Sequence, residues 1–433
     1  MPNPEPLNPE LHRTLDELAA NAQRTGRAPS LVLAAGRYGE RRYFRGIGAA
    51  PEDQYRIGSI TKTFTAALIM QLRDAGELAL EDPLADHLPE VAIGPVTLRQ
   101  LLSHSAGLHA EPDGPWWERS PGVSVTELLA GVTEAKRPLP PGRFRHYSNL
   151  GFGLLGAIVE RRTGASWADR LRTHLLEPAG LADVTYHPRE PYARGHLVHP
   201  WDEVTRPEPT PDTRAMAPAG QLWSTAEDLL RWAEVLAGRV PAVLAPDTAA
   251  QMRSVVAMVD PGWTLGTGLG IQLDRRGERV FAGHSGSMPG FLANLAFDAE
   301  SGWSTVAFAN CYTGPRLSQL SHAALTHLVE QPAETPAWSP APVPPLPPSV
   351  VGLTGRWWWM GYEVTVRFDG RLIVQDGEDE DAFEPAGTDT WRGRDGQLRG
   401  ELLRVERDPD GTPLGLNIAT AVYLRDPWPA EPR

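Results

Sequence analysis

The spacing of apolar residues changes along the chain, and each change predicts a different kind of element. Leu11, Leu15, Leu18 and Ala22 recur at helical intervals behind Asn8-Pro9, an N-cap followed by proline at the first helical position, so a helix is predicted to about Thr25. β-rich runs at Ser30 to Ala35 and Arg41 to Arg45, separated by Gly36 and Gly39, predict a strand pair leading to Tyr55-Arg56-Ile57-Gly58. Ser59 then opens a helix whose apolar face is Phe64, Ala67, Leu68 and Leu72 and which stops near Gly76. From Leu80 to about Val259 helical spacing dominates, with a capping box at Ser224-Thr225-Ala226-Glu227 ahead of Leu229, Leu230, Trp232 and Leu236. Short β-rich runs return at Leu269 to Leu273, Arg279 to Ala282, Phe291 to Phe297 and Ser304 to Asn310, followed by a helix over about Pro315 to Val329.

Strands at both ends of this region bracket a helical middle. The economical architecture is one sheet built from both ends with an inserted helical region, over residues 1–330. Prolines then crowd the stretch from Pro332 to Pro348, a composition that predicts a stiff linker over 331–349. Beyond it, Trp357-Trp358-Trp359, Glu363 to Phe368, Arg371 to Gln375, Thr390-Trp391-Arg392, Glu401 to Arg407 and Ala421 to Arg425 alternate with turns at Asp369-Gly370, Asp395-Gly396 and Asp410-Gly411. Residues 350–433 therefore read as a small antiparallel β-barrel, with the triple tryptophan as core and barrel-mouth packing.

At 433 residues the chain is long enough for two domains that each bury a core. A formal charge of -13 without any basic run argues against nucleic acid or an anionic membrane as partner. The single cysteine, Cys311, excludes an internal disulfide framework and reads as a packing residue in an apolar run. Met1-Pro2-Asn3-Pro4-Glu5-Pro6 carries no basic cluster or apolar core, so the chain as written predicts a cytoplasmic protein.

Chemistry concentrates in three short motifs. Ser59-Ile60-Thr61-Lys62 places a hydroxyl and an amine three positions apart, on one face of a helix whose first turn offers unpaired N–H groups. A serine nucleophile needs a base that can lose a proton and a group that protonates the leaving group. Tyr147-Ser148-Asn149 supplies a phenol and a carboxamide; His284-Ser285-Gly286 supplies an imidazole and a backbone free of bulk. His196, His199 and Asp202 lack a helical glutamate partner and read as structural, so neither metal nor cofactor is expected. Gly283-His284-Ser285-Gly286-Ser287 ends in serine and follows no parallel α/β pattern, which argues against a nucleophile elbow. Trp116-Trp117 reads as loop packing.

The three motifs, in this order, resemble the serine penicillin-recognising enzymes: class C β-lactamases, D-Ala-D-Ala carboxypeptidases and related esterases and acyltransferases. Further similar stretches are Leu101 to Leu108 (LLSHSAGL) and Pro218 to Thr225 (PAGQLWST). The resemblance covers roughly residues 9–330 and implies an α/β (α+β) fold of β-lactamase/transpeptidase type, an antiparallel sheet flanked by helices. It implies Ser59 as the acylated nucleophile and Lys62 as its base. Tyr147 would be the proton relay, Asn149 a ligand of the substrate's acyl side, and the N–H groups of Ser59 and Ser287, beside Gly286, the oxyanion hole.

His284 departs from the lysine that opens the third motif in most penicillin-binding proteins. A largely neutral imidazole is a poor carboxylate anchor, which moves the expected substrate toward esters, thioesters or amides without an adjacent carboxylate. The cytoplasmic address, His284 and the C-terminal barrel, taken as lipocalin-like, together resemble the penicillin-binding-protein-type thioesterases. Those enzymes release and macrocyclise a nonribosomal peptidyl thioester, so the expected partner is a small peptidyl or ester substrate, in that case presented by a carrier protein. The alternatives are a generic esterase or amidase, a D,D-carboxypeptidase or class C β-lactamase, and a sensor that acylates without turnover.

Overall fold

Leu31, Leu33 and Ala35 join one buried apolar cluster and Val32 and Ala34 another, as the period-two alternation of a strand with both faces covered requires. The computed structural model describes residues 7–312, 314–330, 346–377 and 379–427. Its main sheet runs in the order Glu40–Ile47, Leu31–Arg37, Trp303–Ala309, Phe291–Phe297, Arg279–Met288, Gln272–Arg276, Leu265–Thr267, Ala257–Met258. The two ends of the catalytic region thus meet inside one sheet: Leu31–Arg37 pairs antiparallel with Trp303–Ala309, Leu31 opposite Ala309. The helices Pro9–Gly26 and Leu317–Val329 cover one face. The helical middle covers the other.

Local chemistry accounts for most element ends. Asn8 caps the first helix through its side chain, which accepts from Leu11 N, with Pro9 behind it. The expected capping box at Ser224 is corrected by one residue: Thr225 is the cap, accepting from Asp228 N, while the Ser224 hydroxyl donates to Thr225 O. The two residues compete for the same role, and the one with extended backbone adjoining the helix takes it. The run expected at Leu269 to Leu273 becomes a strand only from Gln272, because Gly270 turns the chain at φ 73°.

The helix Thr61–Asp74 is more deeply set than its apolar stripe predicted: Thr61 through Met70 are all buried. Its buried threonines are individually satisfied, Thr63 Oγ1 donating to Ile60 O, Thr65 Oγ1 to Pro218 O, and Thr61 Oγ1 accepting from Leu222 N. Trp232 stacks on Phe64 at 3.9 Å between centroids, and its indole N–H donates to Thr63 Oγ1. No helix among the described residues is long and apolar enough to cross a membrane.

The chain divides into two compact units, Met1–Ala333 and Glu334–Arg433. The linker expected over 331–349 lies outside the described residues as far as position 345. The second unit is a closed antiparallel barrel of eight strands from Gly355–Trp359 to Ala421–Leu424. It includes two strands absent from the sequence-based reading, Asp379–Gly387 and Pro413–Ile418. Of the three consecutive tryptophans only Trp357 is wholly buried, its N–H donating to Leu353 O with the Arg425 guanidinium 3.9 Å above its ring; Trp359, on the same face of the strand but at its end, is exposed.

Candidate active site

Gly58–Ile60 is a single turn of 3-10 helix that runs directly into the α-helix from Thr61, so Ser59 stands just ahead of that helix instead of inside it. Lys62 still reaches it, Nζ lying 3.0 Å from Ser59 Oγ. Gly58 adopts φ 52°, and a Cβ there would meet Ser287 N at 2.6 Å. A Cβ on Gly286 would lie 1.9 Å from Ile57 O. These two glycines let the turn carrying Ser59 and the strand Arg279–Met288 pack backbone against backbone, which brings the Ser59 and Ser287 residues together.

Lys62 is fully buried, and its ammonium group has lost its hydration. Burial lowers its pKa from 10.5 to about 7, against an opposing pull from the carboxylates of Glu111 and Glu118. Besides Ser59 Oγ it contacts Asn149 Oδ1 at 2.6 Å and Ala219 O at 2.7 Å. A neutral amine has two N–H donors and one lone pair, and a carbonyl can only accept. With the two donors given to Asn149 and Ala219, the lone pair is left for the Ser59 proton.

Tyr147-Ser148-Asn149 lies at the start of the helix Asn149–Thr163, where the Ser148 hydroxyl caps the first turn by accepting from Gly151 N and donates to His109 O. The Tyr147 hydroxyl hydrogen-bonds Ser59, while burial pushes its pKa up and keeps the phenol protonated. The Arg145 guanidinium lies 5.3 Å from the Tyr147 ring centroid and Lys62 Nζ 5.0 Å from it. The two accessory blocks now have tasks. His104 stacks on Tyr147 at 4.2 Å, and its Nδ1 accepts from Ser148 N, whereas Pro218 and Ala219 offer carbonyls to Thr65 and Lys62.

His284 occupies a buried position on the strand, with its ring 6.2 Å from that of Tyr147. Burial first, then nearby Lys62, lowers its pKa to about 3, so the imidazole is neutral; Nδ1–H donates to Ser285 O. Its ring lies tilted to that of Tyr147 and does not line the cleft. The strand presents Ser285, Gly286 and Ser287 to the cleft instead.

That cleft, of about 750 Å³, is lined by Ser59, Tyr147, Asn149, Gln272, Leu292 and the segment from Pro315 to Gln319 among others. Among the lining residues that sequence reasoning did not assign to the site are Glu111, Glu118 and Gln272, and Trp116, read as loop packing, also lines the cleft. Trp117 packs inward as expected, its N–H donating to Glu111 Oε2, but Trp116 lines the cleft and donates to Glu118 Oε2. Burial raises the Glu118 pKa to about 7, with Glu111 as a second cause. Gln272 Oε1 accepts from both the Ser285 N–H and hydroxyl. A signal for Glu111 did exist, since it follows the Leu101 to Leu108 block by three residues. His196, His199 and Asp202 stand apart from the cleft, His199 pairing with Asp202, and the described residues contain no group suited to hold a metal ion.

The family model described as Beta-lactamase matches residues 15–328. A second, described as a domain of unknown function (DUF7586), matches residues 346–425. Penicillin-binding protein 4 of Amycolatopsis lactamdurans is 32% identical over 245 residues, covering 52% of this chain and 63% of that protein. The chain spans about half to two thirds of the length of that protein and of the beta-lactamase-like protein 2 of Dictyostelium discoideum. Among solved structures, a D-stereospecific amidohydrolase from Streptomyces sp. is 26% identical with a TM-score of 0.65, covering 72% of this chain and 98% of that one. SurE with D-Leu is 26% identical with a TM-score of 0.59 and covers 96% of this chain and 99% of its own.

Proposed function

From the premise that the chain belongs to the β-lactamase family of serine hydrolases, we propose that it acylates Ser59 with a peptidyl ester or thioester ending in a D-residue and passes the acyl group to an amine, as a penicillin-binding-protein-type thioesterase that macrocyclises its peptide. The observation that carries the acylation is the three-way contact of a buried Lys62, its pKa lowered to about 7, with Asn149 Oδ1, Ala219 O and Ser59 Oγ. Ser59 Oγ attacks the carbonyl carbon while its proton moves to Lys62 Nζ. The N–H groups of Ser59 and Ser287 receive the developing oxyanion. Tyr147 protonates the departing thiol or alcohol, and later takes a proton from the amine that attacks the acyl-enzyme, while Lys62 returns its proton to Ser59 Oγ as that oxygen leaves and the new amide forms.

The charge of the cleft supports the choice of substrate. Glu111 and Glu118 face it, Arg316 is the cation among its described lining residues, and the third motif contributes a buried neutral imidazole where a lysine would anchor a carboxylate. Such a cleft favours an amine over a second carboxylate. The D-configuration at the acyl position is supported by the two solved relatives, one named D-stereospecific and the other bound to D-Leu. The test is a linear peptidyl thioester mimic with a C-terminal D-residue, followed by mass spectrometry. Loss of the thiol without gain of water is the expected product, abolished by Ser59→Ala. Linear acid alone across several peptides would leave a hydrolase for which water is the acceptor, an esterase or amidase.

A further inference from the structure

Lys62 can take the Ser59 proton only while its lone pair points at Ser59, and that direction depends on which end of the Asn149 amide faces the lysine. With the oxygen toward Lys62, an N–H of the neutral amine is used on Asn149. With the amide reversed, its NH2 would draw the lone pair away from Ser59. Something must therefore hold the amide one way round. On its other side Asn149 Nδ2 donates to Glu111 Oε1 at 2.8 Å, and the second oxygen of that carboxylate accepts from Trp117 Nε1 at 2.6 Å. An ionised carboxylate accepts and never donates, so it tolerates only the NH2 end of Asn149. Trp117 is buried and its indole N–H can only donate, which anchors the carboxylate in turn.

We infer that Glu111 is a positioning residue for acylation: held by Trp117, its carboxylate orients the Asn149 amide and so aims the Lys62 lone pair at Ser59. The chain of contacts runs Trp117, Glu111, Asn149, Lys62, Ser59, every link between a donor and a group able to accept. This task uses the Asn149 oxygen and one of its two amide N–H groups, and leaves the other N–H for the acyl side of the substrate. The inference rests on acylation at Ser59 and not on the identity of the acceptor. An activated ester reports it even where no peptide is cyclised.

Glu111→Gln tests it. The substitution keeps the shape but gives the side chain one donor end, which must face either Asn149 or the Trp117 N–H. We expect kcat for an activated ester to fall on the order of 10-fold with KM little changed, as misorientation of a catalytic group costs. The acid limb of the pH profile should also move to lower pH, because Glu111 raises the Lys62 pKa and its charge is gone. Adding Trp117→Phe removes the opposing N–H, lets the amide end turn toward position 117, and should restore part of kcat. Trp117→Phe alone should cost less than Glu111→Gln. A Glu111→Gln enzyme with kcat within twofold of the parent, an unmoved acid limb, or a loss confined to KM would each overturn the inference, the last by making Glu111 a substrate contact.

Discussion

Replacing Lys62 by methionine should inactivate the enzyme and, below neutral pH, stabilise it. Lys62 has an ordinary pKa of 10.5 when exposed and one of about 7 in the folded protein, where burial penalises the ammonium form. That difference corresponds to about 5 kcal/mol of unfavourable free energy wherever both states carry the proton, that is below pH 7. Between pH 7 and 10.5 the unfolded chain holds a proton that the folded one does not, so the stability of the parent rises with pH by about 1.4 kcal/mol per unit. Methionine fills nearly the same volume without a charge but leaves Asn149 Oδ1 and Ala219 O without their donor. Each loss costs about 1 to 3 kcal/mol. The net advantage of Lys62→Met at pH 6.5 is thus at most about 3 kcal/mol, and it should shrink by about 3 kcal/mol between pH 7.5 and 9.5. Urea unfolding of both proteins across pH 6 to 9.5, following the catalytic unit, measures this difference. A difference that stays flat across that range would refute the depressed pKa and with it the case for Lys62 as a neutral base.

Other expectations are simpler to state. The same depressed pKa gives ester acylation an acid limb near pH 7, with rate rising as Lys62 loses its proton; a limb near pH 10 would contradict it. Gly286→Ala would drive a methyl group into Ile57 O, separating the strand from the Ser59 turn, so labelling of Ser59 by a phosphonate should fall sharply while the barrel unfolds as before. Trp357→Ala should destabilise the barrel by about 3 to 5 kcal/mol, read by calorimetry of the parent and variant.

Sequence patterning anticipated the sheet closely where strands are short apolar runs set off by glycine, as in Phe291–Phe297 behind Gly290, and it found caps where they are strong, as at Asn8. It missed Asp379–Gly387 because acidic residues and a proline dominate that strand, and only Ala382 and Phe383 are buried in it. The capping of the helix after Ser224 went astray by one position because two adjacent hydroxyl residues compete for it. At the site, Ser59, Lys62, Tyr147, Asn149 and His284 converge as their motifs implied. The motif did not tell which face of the strand His284 would take, and the answer leaves its ring tilted beside Tyr147, outside the cleft lining. Glu118 was illegible for a different reason, since it sits in an irregular loop where no periodicity connects residue number to direction; Glu111 shares that loop, and only its distance from the Leu101 to Leu108 block marked it.

The arrangement of the main sheet also governs when the enzyme can become active. Ser59 lies in the first part of the chain, but its neighbour Ser287 and the strand that pairs with Leu31–Arg37 come more than two hundred residues later. At ordinary rates of synthesis the nucleophile waits on the order of 10 to 45 s for the backbone that completes its site. During that interval Leu31–Arg37 has only its hairpin partner Glu40–Ile47, and its other edge is open. A ribosome-bound chain that stops before Trp303–Ala309 should therefore be both unreactive toward a serine probe and prone to associate through that edge, with reactivity arriving only once the late strand closes it.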